Sequence, residues 1–267
     1  MRLLLFSLFV TSLFAQDRRI LVVTASSGDY IFGAGGTIAK FIREGWRADL
    51  AVFGNDEKQS LGLNQPQTRM ANVQEGKAAA KLLGIKDVVM MDHKSGEFGY
   101  TSTTEMRNQL FALIRGMKPR IIFIPDPYVH YQDDQDMLIT GRMAEEAWGY
   151  SGGSMFGNEL TRMGFKPYGA PEVFYYAAMR PYRKGEGGSG RSKFVAIDIA
   201  ETLEHKLGAL ELMLTRNRRW VAEKVGLQED GQVSRWVRAF AEEMAETIGA
   251  KHKMTVAEEF NHVGPAR

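Results

Sequence analysis

Two apolar runs open the chain, and a regular alternation of short and long periods follows them. Leu3 to Phe14 is almost wholly apolar behind Met1-Arg2 and gives way to Ala15-Gln16-Asp17. Ile20-Leu-Val-Val-Thr24 is rich in β-branched residues and shows no polar alternation, as expected of a strand buried on both faces. A loop over Ala25 to Phe32 leads into a helix opening at Gly33, with Ile38, Phe41 and Ile42 at helical spacing and Gly45 as its stop. The pattern then predicts a strand over Ala48–Phe53, a polar loop over Gly54–Gln67, a helix over Thr68–Leu83 and a strand over Asp87–Met91. Ser102-x-x-Glu105 is a capping box ahead of Met106, Leu110, Leu113 and Met117, and Pro119 closes that helix. Ile121–Ile124 is a fourth strand, broken by Pro125-Asp126-Pro127, and Gln135–Trp148 is helical.

Four β-α units in succession build a parallel sheet covered by helices on both faces, so the expected fold is α/β: a Rossmann-like three-layer fold with a mostly parallel sheet. Beyond Tyr150 the signal changes. Ser151–Pro171 reads as irregular, Val173–Ala178 and Phe194–Ile199 as strands, and the glycine-rich Lys184–Arg191 between them as a loop. Glu201–Leu214 is an amphipathic helix with Leu203, Leu207, Leu210 and Leu214 on one face, and Val233–Ile248 is a second late helix. With no internal repeat and no second apolar core, the chain reads as a single domain.

Composition changes this picture little. At 267 residues, 44% hydrophobic and 25% charged, the chain can bury a sizeable core. Its 34 basic and 32 acidic residues give a net charge of +2, which gives no reason to invoke nucleic acid or an acidic membrane surface as partner. The N-terminus changes it more. A short basic start, an apolar run too short to span a bilayer and a small residue before polar sequence read as a signal peptide over residues 1–15, with the domain over 16–267. The chain is then exported, periplasmic or secreted, without a transmembrane segment; a buried first strand is the alternative. There is no cysteine, which excludes a lipoprotein anchor. Nothing in the pattern sets an oligomeric state.

In an open parallel sheet, ligands bind beyond the carboxyl ends of the strands. Two unusual segments leave such ends: Ala25 to Gly36 after strand one and Asp126 to Met137 after strand four. Gly33-x-Gly35-Gly36 does not meet the spacing of a dinucleotide fingerprint, and the loop before it is too long for the tight turn; its glycines also suit close packing of the helix on the sheet.

The segments Gly33-Ala-Gly-Gly-Thr-Ile-Ala-Lys, Gln74-Glu-Gly-Lys-Ala-Ala-Ala-Lys-Leu-Leu-Gly-Ile, Pro125-Asp-Pro, Gly141-Arg, Asp198-x-x-Glu-Thr-Leu-Glu-His-Lys-Leu and Ala257-Glu-Glu-Phe, in this order, resemble the PIG-L/LmbE-like deacetylases. The resemblance implies a small-molecule or glycan ligand and hydrolysis of the acetamide of an N-acetylglucosamine-type sugar, a C–N bond, by a zinc ion that polarises the carbonyl and activates water. It also implies three zinc ligands, at the positions of Ser26, Asp29 and Met137 here, a general base at Gly28 and an assisting histidine at Asp134. Only Asp29 matches, and a hydroxyl and a thioether are poor zinc ligands. The usual mechanism therefore does not carry over, and no tightly bound zinc is expected.

What remains is Asp29 with His130, Asp133, Asp134 and Asp136. These are an oxygen-rich site for a weakly held divalent cation or polar ligand, or merely the residues that helix N-termini attract. Asp29, Asp134 and Asp136 are the catalytic candidates, and Asp29 with His130 the metal candidates. Ser26, Ser27, Tyr30, Tyr128, His130 and Tyr131 are the substrate-binding candidates, the tyrosines either stacking on a sugar or walling the cleft. His93 lies near the expected cleft edge, His205 on a solvated helix face, and His252 and His262 in a late polar segment. Three functions follow: a divergent deacetylase, a non-catalytic sugar-binding protein, or a metal-dependent hydratase or lyase of small carboxylates, the last suggested by Asp29-Tyr30.

Overall fold

The computed structural model describes residues 18–129 and 134–265. The candidate signal sequence over residues 1–15 and the candidates His130, Tyr131 and Asp133 lie outside the described residues. The expected alternation is present. Strands β1 (Arg19–Thr24), β2 (Arg47–Gly54), β3 (Asp87–His93) and β4 (Ile121–Pro125) alternate with helices α1 (Asp29–Arg43), α2 (Gln65–Leu82), α3 (Thr103–Met117) and α4 (Gln135–Tyr150). After a short helix α5 (Asn158–Arg162) come β5 (Glu172–Tyr176) and β6 (Lys193–Asp198), then α6 (Leu203–Glu211), α7 (Leu214–Val225), α8 (Asp230–His252) and β7 (Ala257–Val263).

One seven-stranded sheet runs in the order β3-β2-β1-β4-β5-β7-β6. The first five of these strands pair in parallel, and β7 lies antiparallel between β5 and β6. Ile20, Leu21, Val22 and Val23 are fully or almost fully buried, the burial on both faces that their unalternating pattern foretold. Helices α1, α2, α6 and α8 pack with one another, and α3 with α4. Right-handed crossovers put these two groups on opposite faces of the sheet, giving three layers. Phe123 of β4 stacks on Phe174 of β5 at 4.9 Å, with Phe260 of β7 edge-on to both. No helix of the described residues is long and apolar enough to cross a membrane.

Several boundaries differ from expectation. Helix α1 starts at Asp29, not Gly33, so the turn after β1 is only four residues long and Gly33, Gly35 and Gly36 lie inside a buried helix. Gly36 is there for contact: a Cβ would come within 3.0 Å of Ile199. Helix α2 begins earlier than its apolar pattern, because Asn64 caps it reciprocally with Gln67. At α3 the Ser102 hydroxyl accepts from the Glu105 N–H at 3.3 Å, and Lys118 ends the helix in the left-handed region at φ 51°. The late helix expected over Glu201–Leu214 is α6 alone, ending at Glu211; α7, which follows from Leu214, lies beyond the expected span, and the segment expected to be a polar tail contains strand β7.

Two elements of the resemblance meet in the core. Lys206 and Glu258 form an ion pair at 2.8 Å, and their side chains are 0% and 1% exposed. Lys206 Nζ also donates to the Phe32 carbonyl at 2.6 Å, while Glu258 accepts from the N–H groups of Gly36 and Thr37 at 3.0 and 2.7 Å. Phe32 and Gly36 are the carbonyl and N–H that pair across one ordinary helical turn. The ion pair thus engages α1 at that turn and fixes it against α6 and β7.

Candidate active site

The sheet order reverses between β1 and β4, and the expected cleft lies beyond the carboxyl ends there. Its volume is about 400 Å³. Ala25, Ser26 and Asp29 line it after β1, Lys58 and Gln59 after β2, and Ser95 and Gly96 after β3. Asp134, Asp136 and Met137 follow β4, and Met179 follows β5. Helix α7 closes the remaining side with Arg216, Arg219, Trp220 and Glu223.

Helix α7 is held firmly. Trp220 packs edge-on against Phe32 at 5.4 Å, Phe240 at 5.1 Å and Trp236 at 4.9 Å, which ties α7 to α1 and α8. Its first turn is fixed by Glu75 of α2, which accepts from the N–H and hydroxyl of Thr215 at 2.9 and 2.7 Å. These contacts deliver the Arg216 guanidinium to the turn after β1. Arg216 Nη2 donates to Asp29 Oδ1 at 2.7 Å and Nη1 donates to Ser26 Oγ at 2.9 Å. The Ser26 hydroxyl in turn donates to Asp29 Oδ2 at 2.6 Å. Both carboxylate oxygens of Asp29 are therefore engaged, and Asp29 is 3% exposed. Burial pulls the Arg216 pKa down, but the charges of Asp29, Asp56 and Asp134 outweigh it, and the net shift is upward.

Asp134 caps α4: its Oδ1 accepts from the N–H groups of Asp136 and Met137 at 2.9 and 3.3 Å. It is half-buried at the cleft rather than freely solvated. Burial, and then the charge of Asp29, raise its pKa to about 6. Asp136 crosses to the turn after β3, where it accepts from the N–H of Gly96 and, at 3.2 Å, from that of Phe98. Burial raises its pKa as well. Met137 is 3% exposed and belongs to the main core.

Other candidates lie elsewhere. Ser27 faces away from the cleft, donating through its hydroxyl and backbone N–H to Asp56. Tyr30 is wholly buried, does not line the cleft, and its hydroxyl finds no partner among the described residues. Tyr128 is exposed and outside the cleft lining, its hydroxyl donating to Glu145 of α4 at 2.6 Å. His93 stacks on Phe53 and its Nε2 meets Gln109 at 2.8 Å, outside the cleft lining. His205 is exposed as expected, whereas His262 is buried in β7. Asp126 also stays out of the cleft. It accepts from Tyr182 Oη at 2.9 Å and the Gly188 N–H at 2.7 Å, tying the glycine-rich loop to β4.

Asp56, absent from the sequence-derived candidates, sits beneath the turn at 3% exposure, in the left-handed region at φ 57°. Burial raises its pKa from 3.8 to about 6, against the lowering effects of the Ser27 hydrogen bonds and the Arg216 charge. A raised native pKa means that the folded state holds this proton more tightly than the unfolded chain. The resulting stability is fully present below about pH 4 and lost as pH rises through about 6. Asn tolerates left-handed backbone, accepts the same hydroxyl and carries no charge. The stability of Asp56→Asn relative to the parent is thus expected to improve by about 1–3 kcal/mol between pH 4 and pH 7. Urea unfolding at a series of pH values measures this, and parallel curves for the two proteins would contradict it.

Comparison with known proteins gives a consistent result. A family profile described as GlcNAc-PI de-N-acetylase (PIG-L) matches residues 21–148. Diacetylchitobiose deacetylase of Thermococcus kodakarensis is 26% identical over 199 residues, covering 74% of this chain and 69% of that protein. 4-Oxalmesaconate hydratase of Pseudomonas putida is 24% identical over 232 residues, covering 82% of each. Among solved structures, N,N'-diacetylchitobiose deacetylase from Pyrococcus horikoshii superposes with a TM-score of 0.77 at 22% identity, over 94% of this chain and 85% of that one.

Proposed function

The chain is a member of the PIG-L/LmbE-like family, and we propose that it keeps the family's cleft as a sugar-binding site while dispensing with zinc hydrolysis. The observation that carries this reading is the engagement of Asp29. One carboxylate oxygen holds Arg216 at 2.7 Å and the other takes the Ser26 hydroxyl at 2.6 Å. A tetrahedral zinc needs about three protein donors arranged around it. The neighbouring donor positions here supply a neutral hydroxyl at Ser26 and a core thioether at Met137, and Gly28 carries no base. Among the described residues, no group of three His, Cys, Asp or Glu side chains converges in a way that could hold a metal. These residues do not fit zinc.

The cleft itself is suited to a ligand. Its volume of about 400 Å³ falls within the ordinary range for small-molecule sites. Lys58, Gln59, Arg219, Asp134 and Asp136 offer both donors and acceptors to sugar hydroxyls, and Trp220 adds an aromatic edge. A sugar of the acetamido class is favoured by the likeness to diacetylchitobiose deacetylase. Calorimetric titration with N-acetylglucosamine and diacetylchitobiose, run once in a chelator and once with added zinc, is expected to give the same binding heat in both and acetate release in neither. Metal-dependent release of acetate would overturn the reading.

A second reading, a hydratase or lyase of small carboxylates, is favoured by one feature. The likeness to 4-oxalmesaconate hydratase spans 82% of this chain, against 74% for diacetylchitobiose deacetylase. Turnover of an unsaturated dicarboxylate with added divalent metal would select it. Export to the periplasm or beyond completes the proposal, supported by the Leu3–Phe14 run and the small Ala15 after it. Recovery of the uncleaved chain in the cytosolic fraction would count against export.

A further inference from the structure

We infer that the Arg216 guanidinium is the built-in cation of this cleft, holding the place that the family gives to its metal, and that Gly28 is the residue that admits it. The inference deepens the proposal of a metal-free cleft and says what has replaced the metal.

Three observations converge on it. The guanidinium contacts Asp29 and Ser26, which occupy two of the family's three metal-ligand positions, at 2.7 and 2.9 Å. It is delivered by a helix whose aromatic and Glu75 contacts leave it little freedom, and it is only 7% exposed. At Gly28, where the family carries its general base, a Cβ would overlap Arg216 Nη1 and come within 3.0 Å of Cδ and Cζ. Gly28 has φ −114° and ψ −15°, which any residue can adopt, so its bareness serves the arginine rather than the backbone. A base at position 28 and this guanidinium exclude one another.

The exchange is chemically coherent. A buried carboxylate needs a counter-charge, and a metal supplies it in the family. Guanidinium supplies it here at every accessible pH, because arginine does not lose its proton in proteins. It cannot ionise a bound water as zinc does, so the exchange preserves the architecture of the turn while removing the nucleophile.

Two measurements test this without any sugar or turnover, so their failure is distinct from failure of the binding proposal. The first is zinc content by elemental analysis after dialysis, with circular dichroism confirming that each variant is folded. The parent is expected to hold no stoichiometric zinc. Ser26→His with Met137→His restores two ligands and is expected to remain empty, because Arg216 still holds Asp29. Adding Arg216→Ala to that pair is expected to bring zinc to near one per chain. Zinc in the pair without the third change would overturn the inference, as would a folded triple variant that stays empty. The second measurement is a double-mutant cycle in melting temperature, which does not depend on rebuilding a metal site. Gly28→Ala is expected to lower the melting temperature by several degrees in the parent and by less than a third of that shift in an Arg216→Ala background. Equal shifts in the two backgrounds would show that Gly28 does not serve Arg216.

Discussion

Replacing Glu258 with alanine is expected to remove about 3–5 kcal/mol of stability, several times what the loss of an exposed ion pair costs. The substitution leaves the Lys206 ammonium in a position where its side chain is 0% exposed, with the Phe32 carbonyl as its remaining hydrogen-bond partner. It also strips the N–H groups of Gly36 and Thr37 of the carboxylate that accepts from them. Domains hold only about 5–15 kcal/mol in total, so such a loss brings the fold close to failure. Removing both charges as Glu258→Leu with Lys206→Met is expected to cost markedly less, because neither charge is then stranded. Urea denaturation of the three variants measures the difference. If the double variant proved as unstable as Glu258→Ala, the cost would lie in packing rather than in the orphaned ammonium.

The second large effect is expected at Arg115, which is 1% exposed and whose guanidinium gathers backbone carbonyls instead of a carboxylate. Nε donates to Ser151 at 3.0 Å, Nη1 to Gly157 at 3.1 Å, and Nη2 to Gly153 and Phe156 at 2.9 and 2.7 Å. One side chain thus organises the connection between α4 and α5. Arg115→Ala removes the side-chain donor from four carbonyls; Ser151 and Gly157 keep backbone donors in Tyr168 and Thr161, and Gly153 and Phe156 are within reach of water, so about 1–3 kcal/mol is expected to be lost. The loss is local. Limited proteolysis should cut the variant within residues 151–162 well before global unfolding, and unchanged resistance there would refute the assignment.

The parts of this fold that were legible from sequence are those in which burial is apolar. Strands β1 and β4 announce themselves by Ile20–Val23 and Ile121–Ile124, and α3 by Ser102 and the Met106–Leu110 face. Three features were hidden, each for a physical reason. Helix α1 lacks a side-chain cap at Gly28, and its interior glycines imitate a loop. Helix α7 buries Arg216 and Asn217 beside Val221, and these polar residues interrupt the apolar face formed with Leu214 and Trp220. Strand β7 buries Glu258, Glu259, Asn261 and His262, and residues of these types read as a solvated tail unless their partners are known. Glu259, for example, takes Lys251 at 2.9 Å and His252 at 2.8 Å.

The same limit governed the site. Ser26, Asp29, Asp134, Asp136 and Met137 are drawn together by strand-end topology, which the alternation of elements made legible. Arg216 lies 187 residues beyond Asp29 in the chain and belongs to no motif. The signal that pointed toward it was the emptiness of position 28, since a missing side chain in a buried turn implies that something else fills the space.

The position of β7 has a consequence for the order in which the molecule can be made. It is the last strand, yet it is the strand that joins β6 to the rest of the sheet. A ribosome adding roughly 5–20 residues per second will release β6, α6 and α7 seconds before their seam exists. During that interval Lys206 has no Glu258 and cannot enter the interior as a charge. The five parallel strands can assemble as they emerge, while the layer that carries Arg216 must wait. The cleft therefore closes after the five parallel strands have assembled, and a nascent chain halted before Ala257 should present an Asp29 still open to solvent.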